Sequence, residues 1–195
     1  MIENEITVVS GLPRSGTSMM MKLLIAGGMP ALLDGERKPD DSNPRGYFEF
    51  ERVKQLERDK SFLVEAKGKV IKVVSPLLTH LPGGYTYKVL FMNRNIEEVL
   101  ASQHQMMVRR GEKTGAVPDD KMAGIYERHL QDVKAWLSRQ PNFAVTQIDY
   151  NQVLQDPAPH IERVVHFLGR DLNIPAMLST VDVTLYRERR SSGKP

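Results

Sequence analysis

The chain contains no cysteine. That excludes a disulfide framework, a thiolate-held metal and a cysteine nucleophile together. It also lacks a long hydrophobic run. The most apolar stretch, residues 19–33, is interrupted by Lys22, Gly27, Gly28 and Pro30, and it falls short of the ~20 residues that a membrane span needs. Neither sign of charge dominates. The 27 Lys and Arg stand against 24 Asp and Glu, a net +3, which is too small an excess to argue for nucleic acid but suits a local cationic site for an anionic ligand. The opening residues, Met1-Ile-Glu-Asn-Glu5, are acidic where a secretory signal is basic, so the expected compartment is the cytoplasm.

What is present is the ordinary composition of a folded protein, 195 residues with 41% hydrophobic and 26% charged. That length predicts a single domain over residues 1–195 with a core of useful size. A basic tail, 186–195, is expected to fray. No internal repeat or low-complexity block interrupts it.

Strand and helix patterns alternate along the chain. Residues 5–9 read as a short buried strand, 10–17 as a turn of Gly, Ser and Pro, and 17–27 as a helix rich in Met and Leu. A long connection follows over 28–47, then a helical pattern over 48–63 and strands over 69–74 and 86–92. Residues 96–109 and 120–139 read as helices. The second carries Met122, Ile125, Tyr126, His129, Leu130, Val133, Trp136 and Leu137 at helical spacing, with His129 and Trp136 expected in the core. A strand over 143–148 and a helix over 158–168, stopped by Gly169, complete the pattern. The expected fold class is therefore α/β, a three-layer α/β/α arrangement with a mostly parallel central sheet.

The strongest local signal is Gly11-Leu-Pro-Arg-Ser-Gly-Thr-Ser18. Its glycines have the G-x-x-x-x-G spacing of a P-loop, and it lies between a strand and a helix as that motif requires. Backbone N–H groups of such a turn cradle a phosphate at a helix N-terminus, and Thr17 and Ser18 add hydroxyls. A nucleoside-triphosphate loop has Lys after the second glycine. Here that place is Thr17, and the cation is Arg14, inside the loop. No metal-binding carboxylate is evident after a later strand, so the loop is poorly built for magnesium-dependent phosphoryl transfer.

At these residues the chain resembles the sulfotransferases that use PAPS (3′-phosphoadenosine 5′-phosphosulfate). Ser10 to Ser18 is similar to their 5′-phosphosulfate loop. Their second motif is a strand, an Arg, and a Ser eight residues on, matched by Val89-Leu-Phe-Met-Asn-Arg94 and Ser102. Residues 145–169 resemble a later strand, acidic turn and Phe-Leu-Gly helix, and Asn43-Pro-Arg-Gly-Tyr-Phe-Glu49 resembles a segment of bacterial members. The likeness extends from residue 5 to about 170.

The resemblance implies PAPS as cofactor, PAP as product, no metal, and in-line transfer of a sulfuryl group to a hydroxyl or amine of a small-molecule, glycan or lipid acceptor. It implies that Pro13, Arg14, Ser15, Gly16, Thr17 and Ser18 bind around the 5′-phosphate, with Arg14 neutralising charge on the leaving oxygen. Arg94 and Ser102 are implied at the 3′-phosphate, and Arg187 and Arg190 fall where members bring a basic loop to that phosphate. Lys72 is implied near the transferring oxygens. Three residues compete as general base. Glu49 follows the long connection directly and is the first choice. Glu36 lies at nearly the spacing of a catalytic Glu in protein-tyrosine sulfotransferases. His80, in Thr79-His-Leu-Pro82, resembles a segment that carries the base in cytosolic members. Two other readings stay open: a P-loop kinase or NTPase, and a non-catalytic nucleotide-binding protein that keeps the fold.

Overall fold

The computed structural model describes residues 4–35, 46–112 and 117–181. Four strands, β1 (Glu5–Gly11), β2 (Val70–Lys72), β3 (Thr86–Asn93) and β4 (Phe143–Asp149), form one sheet in the order β2-β1-β3-β4. Every pairing is parallel, with Val8 opposite both Ile71 and Val89, and Val89 opposite Val145. Helices α1 (Thr17–Ala26), α2 (Ile96–Arg109), α3 (Asp119–Leu137), α4 (Tyr150–Gln155), α5 (Pro157–Leu168) and α6 (Ile174–Ser179) complete the described elements, with three 3-10 segments at Glu51–Gln55, Ser61–Val64 and Ser75–His80.

The inner strands are buried on both faces, which is why β1 and β3 read as nearly continuous apolar runs. Alternate residues feed two cores. Val9, Leu90, Met92 and Ile148 pack with Met20, Leu23 and Leu24 of α1, Val153 of α4, Val164 and Leu168 of α5 and Met177 of α6. Ile6, Val8, Ile71, Val89 and Phe91 pack on the other face with Phe62, Leu63, Leu78 and, from α3, Val133 and Leu137. Period-two alternation thus builds the three layers expected of the chain.

The helix expected over 48–63 does not form. Phe48 has φ 51°, a conformation that a helix cannot contain. The Asp59 carboxylate accepts from both the N–H and the hydroxyl of Ser61, a local turn that competes with a helix. It also receives Arg52 at 2.7 Å. The Arg52 guanidinium first, and then the two Ser61 hydrogen bonds, hold Asp59 down at about 2. The stretch resolves into extended chain and two short 3-10 segments. Conversely, α4 and α6 form where no helix was expected, started by Asp149 and Asn173, whose side chains accept from Gln152 N and Ala176 N as N-caps. On α3 the apolar stripe is only partly used, since Ile125 is 55% exposed. His129 and Trp136 are half-buried rather than core: Trp136 meets Phe143 edge-on, and His129 Nε2 lies 2.8 Å from Ser75 Oγ.

Candidate active site

The C-terminal ends of β1, β2 and β3 point to one edge of the sheet, where ligands of open parallel sheets bind. The turn leaving β1 occupies that edge. At Gly11, φ is 145°, and a Cβ would stand 2.6 Å from the Met92 carbonyl oxygen. Ser15 closes the turn, its N–H and hydroxyl both donating to the Leu12 carbonyl, at 3.1 and 2.7 Å. Arg14 between them adopts φ 73°, left-handed and uncommon for a side chain of its size. Gly16, at φ 99°, precedes α1, and a Cβ there would run into the ring of Tyr150. No side chain caps α1, and no acidic residue lies in its first turn. The positive end of that helix dipole therefore faces the turn without a built-in counter-charge.

Two groups of side chains flank the turn. In the first, Arg14 Nε donates to Ser102 Oγ at 2.9 Å, and Arg94 Nη1 donates to the Arg14 carbonyl at 3.1 Å. Arg94 leaves the end of β3, and Ser102 lies two turns into α2, whose start is fixed by Asn95 accepting from Glu97 N and Glu98 N. Arg94 Nε also donates to Glu98 Oε2 at 3.0 Å, with both side chains less than a tenth exposed. Asn151 Nδ2 donates to the other Glu98 oxygen at 3.1 Å. The Arg94 guanidinium lies 4.6 Å from the centroid of the Tyr150 ring. Burial pushes the Tyr150 phenol above its ordinary value, outweighing the opposing pull of Arg94 and Arg14.

The second group surrounds Lys72 at the end of β2. Its ammonium, 7% exposed, donates to the Tyr47 carbonyl at 2.9 Å, Glu49 Oε1 at 3.1 Å and Ser18 Oγ at 3.2 Å. Ser18 in turn donates to the same Tyr47 carbonyl at 3.3 Å. One buried cation thus ties the 46–50 segment, α1 and β2 together.

The sequence-predicted residues divide accordingly. Arg14, Ser15, Gly16, Thr17, Ser18, Arg94 and Ser102 lie on or against the turn, and Lys72 meets Glu49. Pro13 is exposed, and its carbonyl is 3.5 Å from Gln103 Nε2. His80 ends the third 3-10 segment, two residues before the Pro82 carbonyl, which accepts from Tyr87 near the start of β3. Glu36, Arg187 and Arg190 lie outside the described residues. Sequence reasoning overlooked Glu98, Tyr150, Asn151 and Tyr47. The four-residue spacing of Arg94 and Glu98 was a legible sign of an ion pair. Tyr47, Tyr150 and Asn151 lie inside segments that resembled the family, but nothing local singled them out within those segments.

A family model described as the sulfotransferase domain matches residues 5–192. The chain belongs to the sulfotransferase family. Solved sulfotransferases share its fold at low identity. The sulfotransferase domain from the Synechococcus PCC 7002 olefin synthase aligns with a TM-score of 0.60 at 14% identity, covering 98% of this chain and 89% of that one. A mouse sulfotransferase complexed with PAP aligns at 0.54 and 14% identity, covering 97% and 68%. A sulfotransferase from Alicyclobacillus acidocaldarius aligns at 0.53 and 12% identity, covering 95% and 97%. The chain is therefore about as long as some members of its family. No curated protein sequence matches it. As a sulfotransferase-family fold, the chain has the architecture that supports sulfuryl transfer. Among the described residues no group of three or more His, Asp or Glu is placed to hold a metal ion, and no helix is long and apolar enough to cross a membrane.

Proposed function

We propose that the protein is a PAPS-dependent sulfotransferase acting on a hydroxyl or amine of a small-molecule, glycan or lipid acceptor. The observation that carries this reading is the meeting of Arg14, Arg94 and Ser102 beside the uncapped start of α1. Two guanidiniums, a hydroxyl and a helix N-terminus suit a ligand with two phosphate ends, and the family membership and the PAP-bound mouse relative favour the same ligand. When bound, PAPS supplies the sulfuryl group to the acceptor and departs as PAP.

In this reading the backbone N–H groups at the start of α1, with Thr17 and Ser18, hold the 5′-phosphate. Arg14 stabilises negative charge on the departing oxygen, a contribution that is largest where water is excluded. Arg is always protonated and forks to two oxygens, so it serves as an electrostatic partner and not a proton donor. Arg94 and Ser102 hold the 3′-phosphate. Lys72 faces the transferring oxygens. Glu49 takes the acceptor's proton, with the Lys72 ammonium balancing its charge. A base needs hydrogen-bonding reach of that proton, and of the sequence-predicted bases that are described, Glu49 is the one tied to α1 and β2. Arg187 and Arg190 add to the 3′-phosphate site.

The test is a thermal-shift and calorimetric comparison of PAP with ATP and magnesium, followed by PAP release from PAPS over a broad acceptor panel. PAP is expected to stabilise the protein and ATP with magnesium is not. The reverse result would favour a P-loop kinase or NTPase, against which Thr17 in place of Lys already argues. Tight PAP binding without turnover on any acceptor would favour a non-catalytic nucleotide-binding protein.

A further inference from the structure

The turn carrying Arg14 has a left-handed residue at its centre with no glycine to relieve it. A non-glycine residue in that region is strained and persists where the surroundings over-determine it. Here the carbonyl of the strained residue is held by Arg94 Nη1 at 3.1 Å. Arg94 is itself held, because Glu98 accepts from its Nε at 3.0 Å and Asn151 braces the second oxygen of Glu98 at 3.1 Å. The Tyr150 ring, neighbour of Asn151, lies under the guanidinium and against Gly16. Contacts from α2 and α4 thus converge on the backbone of one loop residue.

We propose that Glu98 is a positioning residue that acts through Arg94 to set the conformation of the Arg14 turn, so that the two anion sites are built as one unit. The inference rests on the PAPS reading of those sites and goes beyond it. In that reading alone, Arg94 serves the 3′-phosphate and its support matters only to ligands carrying one. With the turn set from α2 and α4, disturbing Glu98 also weakens a ligand that has only the 5′-phosphate.

The experiment compares two probes, PAP and adenosine 5′-monophosphate, by calorimetry on wild type, Glu98→Gln and Asn151→Ala, with urea midpoints measured alongside. Gln at 98 keeps an acceptor oxygen but loses the carboxylate charge that pairs with Arg94, and Ala at 151 removes the brace while keeping the carboxylate. Loss of a hydrogen bond to a charged group is worth about tenfold in affinity. Glu98→Gln is therefore expected to weaken adenosine 5′-monophosphate by about tenfold and PAP by at least as much. Asn151→Ala is expected to move both in the same direction by less, and it carries the test if Glu98→Gln does not fold. Weakening of PAP with adenosine 5′-monophosphate unchanged overturns the proposal, as does a lowered urea midpoint with both affinities intact, which would make Glu98 structural only. Wild-type protein that binds adenosine 5′-monophosphate as tightly as PAP overturns the underlying 3′-phosphate assignment, a result read before any variant is made.

Discussion

Replacing Lys72 with Met tests whether one buried ammonium fastens the 46–50 segment over the site. The change keeps an unbranched side chain of similar length, so it removes charge and hydrogen bonds with little change in packing. The hydrogen bonds that go include 2.9 Å to the Tyr47 carbonyl, 3.1 Å to Glu49 and 3.2 Å to Ser18. The Glu49 carboxylate, one-fifth exposed, is left without its ammonium. Removing one partner of a fully buried pair costs ~3–5 kcal/mol, and the partial exposure of Glu49 sets the expectation at the low end, about 3 kcal/mol. For a domain of this size that corresponds to a fall in Tm of about 6–12 °C. Urea denaturation followed by circular dichroism measures it. The second variant, Lys72→Met with Glu49→Gln, removes the carboxylate charge as well and is expected to recover about 1–2 kcal/mol of the loss. A single-variant loss below about 1 kcal/mol, or a double variant no more stable than the single, would refute the reasoning and reduce Lys72–Glu49 to an incidental contact.

Two further outcomes are expected. Gly16→Ala puts a Cβ at φ 99° against the Tyr150 ring, so PAP binding, measured by calorimetry, should fall by at least tenfold, the equivalent of about 1–2 kcal/mol for the backbone alone; retention of full affinity would mean that the turn does not hold the nucleotide. Burial raises the hydroxyls of Tyr87 and Tyr150 above the ordinary 10.0. The folded state then keeps protons that the unfolded state releases, so this contribution to stability is fully present below pH 10 and is lost as pH rises further. Phenolate absorbance and circular dichroism should show these two of the six tyrosines ionising together with unfolding; all six titrating near pH 10 with the fold intact would contradict it.

The legible parts of the fold were those with a strong local period or a punctuating residue. Short, nearly continuous apolar runs identified the strands, Gly169 ended α5 at φ 60°, and the Gly11 and Gly16 spacing marked a turn whose positive φ values demand glycine. The helix expected over 48–63 failed for a physical reason. Its charge pattern was helical, but the Asp59–Ser61 turn, the Arg52–Asp59 ion pair and the strained Phe48 each favour another backbone course. Helices α4 and α6, at six residues each, are too short to carry a periodic signal.

The same division holds at the site. Strand, glycine turn and helix, followed by an Arg and a Ser eight residues apart, are facts of chain order, and they mark Arg14, Arg94 and Ser102 without a fold. Chain order says nothing about separation in space. Glu98 was within four residues of its partner and legible in principle. Asn151 and Tyr150, more than fifty residues away from Arg94, come under it because β4 pairs beside β3 and delivers α4 to the same sheet edge. Tyr47 and Glu49 reach Lys72 because the 46–50 segment crosses the end of β2. Local composition determines which residues carry charge, hydroxyl or conformational freedom; parallel pairing and packing determine which of them share one low-dielectric place, and there a charge has to find its partner.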